Sequence, residues 1–175
     1  MKKLVFFLLL CIAMLASCSK EDDEQGLFSE PFFKAGVSKE YVASIENRIL
    51  SEQNDSISIY SPADNNYSFE DKISYAFRGD SLIASLAQLK SNSIDRRIIQ
   101  HLLEKRYTPL SVDNKINFYC NQEKNVLVVL SDDETLGLNV LYMPYKLNDN
   151  NAEGAHSIHS LYTTLLSKFK QTAEE

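Results

Sequence analysis

The chain has 175 residues, with 18 lysines and arginines against 24 aspartates and glutamates, and its formal net charge is −6 at pH 7. This acidic balance, without a basic stripe, argues against a nucleic-acid partner, because phosphates are bound by clustered Lys and Arg side chains. The sequence has only 5 glycines, and it contains neither a phosphate-binding loop nor a nucleophile elbow. We expect no cofactor and no enzymatic activity.

The first residues have the pattern of an export signal. Lys2 and Lys3 are followed by an apolar run from Leu4 to Ala16 without any charge. A membrane-spanning helix needs about 20 apolar residues, so this run is too short to span. A short apolar run after a positive start is typical of a signal peptide that is later removed.

The end of that run has the sequence Leu15-Ala16-Ser17-Cys18. This resembles the lipobox of bacterial lipoproteins, in which a Leu and two small residues precede a Cys. The resemblance implies cleavage between Ser17 and Cys18. It also implies that the Cys18 thiol carries a diacylglyceryl group, with acyl chains such as palmitate. Two or more acyl chains suffice for stable anchoring, at about 0.8 kcal/mol per buried CH₂.

An acidic cluster follows the cysteine. It resembles the export signal that places lipoproteins of Bacteroidota on the cell surface, and it comprises Ser19, Lys20, Glu21, Asp22, Asp23 and Glu24. The resemblance implies a lipid-anchored protein of the outer membrane, displayed at the cell surface. A domain that faces the periplasm is the alternative. The same charges also suit a solvated tether, because like charges repel and extend a chain.

We therefore predict three segments: a signal peptide over residues 1–17, a lipidated flexible tether over 18–33, and a single α+β domain over 34–175. In the tether, apolar side chains flank Pro31 and could pack on the domain or meet a partner. Cys120 is the one cysteine beyond Cys18. We expect it to be a buried small side chain.

The domain is predicted to begin with a helical block. Ser38 suits the N-cap of a helix running to about Gln53, with Val42, Ile45 and Ile49 on one inward face. Alternation over residues 56–60 predicts a strand. Further helices are expected after Ser68, after Asp80 and after Ser93. Their expected inward side chains include Ile73, Ala76, Phe77, Leu82, Ile83, Leu86, Leu89, Ile94, Ile98 and Leu102.

The remainder is predicted to be a three-stranded antiparallel meander over residues 116–120, 126–130 and 138–145, because the connections between these segments are short and polar. An amphipathic C-terminal helix follows, with Ile158, Leu161, Leu165 and Phe169 on its apolar face. The predicted fold class is thus α+β: a helical block, a small antiparallel three-stranded meander and a C-terminal amphipathic helix.

His156 and His159 are three residues apart and would share a helix face. Metal sites use such pairs, but they need further ligands, and the spacing with Glu153 matches no zinc motif. Two solvated histidines are the favoured interpretation, and metal binding remains the alternative.

Three functions remain. The first is a non-enzymatic interaction or adaptor subunit, anchored through the lipid on Cys18 and docked to an envelope protein. The second is an immunity-type lipoprotein that neutralises a toxin. The third is a small metal-dependent hydrolase built on His156 and His159.

Overall fold

The computed structural model describes residues 28–62, 69–90, 95–112, 115–123, 125–145, 160 and 162–171. Two helices, α1 (Lys39–Ile45) and α2 (Arg96–Arg106), each precede a run of four strands, and residues 162–171 form a further helix, α3. The strands are β1 (Ile49–Gln53), β2 (Ile57–Ser61), β3 (Glu70–Arg78), β4 (Ser81–Leu89), β5 (Thr108–Val112), β6 (Ile116–Cys120), β7 (Val126–Asp133) and β8 (Gly137–Pro144).

All eight strands belong to one antiparallel sheet, in the order β1-β2-β3-β4-β8-β7-β6-β5. The predicted helical block followed by a three-stranded meander is therefore wrong. Most of the predicted block consists of strands β1 to β4, and the predicted meander is part of the larger sheet.

The first predicted helix is correct only at its start. The Ser38 hydroxyl accepts a hydrogen bond from the Tyr41 N–H at 3.1 Å, as expected of an N-cap. The helix ends at Ile45, because Glu46 has an extended backbone and its carboxylate accepts a hydrogen bond from the Arg48 N–H at 3.1 Å. The chain then enters β1, so Ile49 is a strand residue and not part of an inward helix face.

The second and third predicted helices are strands β3 and β4, which pair from Glu70↔Leu89 to Arg78↔Ser81. Side chains on both faces of these central strands are buried, so the strands lack the alternation of apolar and polar residues that marks a half-exposed strand. Gly79 has a φ of +59° in the turn between these strands. Asp80 was expected to cap the third helix, but it accepts the Lys39 N–H of α1 at 3.0 Å.

Later elements agree better with the sequence. The strand predicted over residues 116–120 matches β6, and those predicted to begin at 126 and 138 match β7 and β8 within one residue at their starts. A helix after residue 93 is confirmed as α2, although its N-cap is Asp95 and its buried residues are Ile99, Leu102 and Leu103. In α3, Leu165 and Phe169 are buried as predicted, while Ile158 and Leu161 lie outside the described residues.

The sheet separates two cores. On one face, Val42 of α1 and Leu103 of α2 belong to an apolar cluster with Tyr75 and Val128 of the sheet. On the other face, α3 packs through Tyr162, whose ring lies 6.2 Å from that of Phe118. The ion pair of Lys170 with Asp133, at 2.7 Å, joins α3 to β7.

The two helix-plus-four-strand units repeat one pattern of strand pairing. Each residue of the β1–β2 hairpin lies 59 positions before its counterpart in the β5–β6 hairpin; the pair Ile49↔Ser61, for example, corresponds to Thr108↔Cys120. Both hairpins carry an irregularity at the same place, after Leu50 and after Pro109. The later strands correspond at an offset of 55. Leu86 of β4 thus pairs with its own counterpart, Leu141 of β8, and the pseudo-two-fold axis passes between them.

Candidate interaction surface

Residues 28–33, which we call the N-terminal segment, lie against the face of the sheet that carries α1 and α2. Phe28 belongs to that core and is 1% exposed, and Pro31 is also buried. The main chain of Ser29 is held at both of its polar atoms. Its N–H donates to the Glu70 carboxylate at 2.5 Å, and its carbonyl accepts from the Arg48 guanidinium at 3.0 Å.

The main chain of Phe32 is held in the same way. Its N–H donates to the Tyr75 hydroxyl at 3.3 Å, and its carbonyl accepts from the Ser85 hydroxyl at 2.8 Å. Side chains of β3 and β4 thus provide hydrogen-bond partners for the main chain of an irregular segment that pairs with no strand. Because buried main-chain groups need such partners, these contacts fix the course of the N-terminal segment.

Glu46 links the N-terminal segment to the end of α1. Its side chain is only 4% exposed; it accepts a hydrogen bond from the Tyr75 hydroxyl and pairs with the Arg48 guanidinium at 2.8 Å. Burial, followed by the hydrogen bond to Glu46 and the charge of Glu46, raises the pKa of the Tyr75 phenol well above its usual value. The phenol therefore remains a donor to Glu46 throughout the physiological pH range.

A second acidic residue, Glu30, ties the N-terminal segment to the end of α2. One carboxylate oxygen of Glu30 pairs with Arg106 at 2.5 Å, and the other accepts a hydrogen bond from the Tyr107 hydroxyl. Burial and the Glu30 charge raise the pKa of Tyr142, which lies fully buried on the central strand β8. The N-terminal segment is therefore bound to both units of the fold.

Exposed apolar side chains concentrate in the part of the chain that contains α1 and β1. Among the described residues, six large apolar side chains are exposed, and four of them lie within ten residues of the chain. We call these four the edge surface: Tyr41 (49% exposed), Ile45 (36%), Ile49 (60%) and Leu50 (45%). Tyr41 and Ile45 are four residues apart in α1 and share one helix face. The other two exposed side chains, Leu110 and Val112, lie on β5 at the opposite edge.

Sequence reasoning missed the edge surface because it placed Ile45 and Ile49 with Val42 on an inward face. Only Val42 is buried. The early end of α1 removes Ile49 from the helix and leaves Ile45 at the helix terminus. The apolar spacing of Val42, Ile45 and Ile49 fits one continuous helix and does not indicate that the helix ends at Ile45.

The predicted lipid and export residues lie outside the described residues. These are Ser17, Cys18, Ser19, Lys20, Glu21, Asp22, Asp23 and Glu24. His156 and His159 also lie outside them, so two solvated histidines stay the prediction and metal binding stays the alternative. Within the described part of the chain, no group of three His, Cys, Asp or Glu side chains is placed to hold a metal ion. Cys120 is buried, as expected.

Within the ranges that the structure describes, no helix is both long and apolar enough to cross a bilayer. Comparison of the chain with known protein families, with curated proteins and with solved structures gives no match.

Proposed function

We propose that this protein is a lipid-anchored, non-enzymatic interaction protein of the outer membrane, and that it contacts an envelope protein through the edge surface. The single observation that carries the proposal is that Tyr41, Ile45, Ile49 and Leu50 are all exposed within ten residues that span α1 and the edge strand β1. Clustered exposed apolar side chains mark contact sites on soluble domains, whereas scattered ones do not.

The chemistry of the edge surface suits a protein partner. Aromatic residues are enriched in the cores of protein interfaces, and Tyr is among the residues that most often dominate binding energy. Tyr41 is positioned by a ring contact with Phe32 of the N-terminal segment, with centroids 5.8 Å apart. Its orientation is therefore fixed before binding, which reduces the entropy lost on association.

The anchor belongs to the same proposal. Phe28, which is fixed in the core, lies ten positions after Cys18, the predicted lipid attachment site. A fully extended chain spans at most about 3.3–3.6 Å per residue, so the lipid lies within roughly 35 Å of the domain. Partners are then sought among proteins at or near the membrane.

The test of the edge surface compares two double variants of the full chain in intact cells. Tyr41→Asp with Ile45→Asp places charges on the edge surface, and Leu110→Asp with Val112→Asp does the same on the opposite edge, at similar exposure. After cross-linking and affinity capture, the first variant should lose a specific envelope protein that the wild type and the second variant retain. Equal recovery with both variants would count against the proposal.

Location is tested separately, by adding protease to intact cells. The wild type is compared with a variant in which residues 20–24 are all Ala. Digestion of the wild type with protection of the variant supports surface display through the acidic cluster. Protection of both indicates a domain that faces the periplasm, and the partner is then sought there.

A further inference from the structure

The two edge strands of the sheet, β1 and β5, have the same pairing register but carry different residues at one equivalent position. Counterparts in β1 and β5 have the same pairing register, and Leu50 of β1 corresponds to Pro109 of β5. Proline has no N–H, so within a sheet it occupies positions where its nitrogen faces away from the neighbouring strand. Because the registers match, the N–H and carbonyl of Leu50 also face outward, away from β2.

This difference leaves one edge protected and one edge open. Edge strands offer unpaired main-chain groups to other strands, and proline is a common means of blocking them. Pro109 removes the outward donor of β5, whereas Leu50 keeps the equivalent donor on β1 and adds an apolar side chain that is 45% exposed. In the described part of the chain, no strand pairs with the outer side of β1.

We infer that the open edge pairs with the same edge of a second copy of this chain, so that two sheets join through antiparallel β1 strands about a two-fold axis. The inference rests on the proposed function, because it uses the edge surface. It names a second copy as an occupant of β1 and strand addition as the mode of binding.

Pairing between two β1 strands gives a closed dimer, whereas pairing between β1 and β5 would give an open chain of copies. A contact between β1 of one copy and β5 of the next would repeat without end and form fibres. Pro109 disfavours that contact because it removes a main-chain donor of β5. Pairing of β1 with β1 uses the same surface on both copies and stops at two.

The sequence of β1 is compatible with such pairing. With the two-fold axis at Leu50, the two Leu50 residues face each other as a hydrogen-bonded pair, with Cα atoms about 5.5 Å apart. Ile49 then faces Ser51 of the other copy. The register therefore avoids placing carboxylate against carboxylate, an arrangement that destabilises strand pairs.

The first experiment is disulfide cross-linking of the full chain in intact cells. A Cα separation near 5.5 Å lies within the range of natural disulfides, so a Leu50→Cys variant should cross-link on mild oxidation and run at twice the mass of the chain. Leu110→Cys is the matched control, because Leu110 is 43% exposed on β5. The wild-type chain shows whether the native cysteines form a cross-link by themselves.

A cross-linked pair of this chain with Leu50→Cys, and with neither control, supports the inference. No cross-link, a cross-link to a different protein, or an equal yield with Leu110→Cys overturns it.

The second experiment uses Leu50→Pro, which gives β1 the residue that β5 already carries at the equivalent position. Light scattering of the lipid-bearing chain in detergent should show a dimer for the wild type. The variant should show a dissociation constant at least tenfold higher, with an unchanged circular dichroism spectrum. A folded variant that dimerises like the wild type overturns the inference. A variant that fails to fold leaves the decision to the cross-linking.

The two proposals fail in different ways. If Tyr41→Asp with Ile45→Asp loses an envelope partner while Leu50→Cys gives no pair, the interaction function stands and the dimer is wrong. If Leu50→Cys gives the pair while the aspartate variant keeps every partner, the dimer stands and the envelope partner must bind elsewhere.

Discussion

Replacement of Tyr75 by Phe tests whether the N-terminal segment is held by the polar contacts of β3. Tyr75 is fully buried; its hydroxyl donates to Glu46 and accepts from the Phe32 N–H. Removing the hydroxyl leaves a nearly buried carboxylate with one partner fewer and a main-chain donor without its acceptor. A hydrogen bond to a charged group contributes about 1.5–3 kcal/mol, and an unsatisfied buried group costs about 1–3 kcal/mol. We expect a loss of roughly 2–4 kcal/mol in the free energy of unfolding.

Tyr60→Phe is the matched control. Tyr60 is also buried, its ring centroid lies 5.7 Å from that of Tyr75, and no hydrogen bond of its hydroxyl to another described residue is found. We expect this change to cost less than about 0.5 kcal/mol, like most substitutions away from specific contacts. The difference between the two variants therefore isolates the contacts of the Tyr75 hydroxyl from the loss of a phenol in the core.

Urea unfolding followed by circular dichroism measures both variants. With a slope of about 2 kcal/mol per molar urea for a domain of this size, the midpoint for Tyr75→Phe should fall by roughly 1–2 M. The midpoint for Tyr60→Phe should stay within about 0.3 M of the wild type. Equal midpoints for the two variants would refute the reasoning, because the hydroxyl of Tyr75 would then contribute nothing to the fold.

Two further predictions concern the same segment. Burial raises the pKa of the Glu70 carboxyl above its usual 4.5, so its stabilising contribution is present below about pH 4.5 and is lost as the pH rises through the folded-state pKa. The unfolding free energy of the wild type minus that of Glu70→Gln should therefore decrease with rising pH; parallel pH curves would contradict this. Phe28→Ala should cost about 3–5 kcal/mol by urea unfolding, and the partly buried Phe33→Ala clearly less; equal losses would argue against packing of Phe28 in the core.

Strands β6, β7 and β8 of the second unit were predictable because their patterns are local, whereas β5 was not predicted. Strand β7 contains the continuous apolar run from Val126 to Leu130, and polar residues border this run on both sides. Strands β3 and β4 were not predictable in the same way, since they are central and are buried on both faces. Leu82 and Leu89 face the α1 and α2 side while Leu86 faces the α3 side, yet their spacing in the sequence fits one stripe of a helix.

The edge surface depends on where α1 ends, and that end is set by tertiary contacts. Glu46 leaves the helix to meet Tyr75, which is 29 residues away in the chain. No local pattern contains that information. The repeat is only weakly visible in the sequence and was not predicted from it. At an offset of 59, Ile57-Ser58-Ile59-Tyr60 and Ile116-Asn117-Phe118-Tyr119 share their first and last residues.

Two buried polar residues of the first unit that bind the N-terminal segment have apolar counterparts in the second unit. Tyr75 and Ser85, which hold the main chain of Phe32, correspond at an offset of 55 to the apolar Leu130 and Val140. Only the first unit therefore has these groups that fix the segment, and the predicted tether leaves the domain at one defined place. In the dimer inferred above, the two-fold axis would relate two such exits.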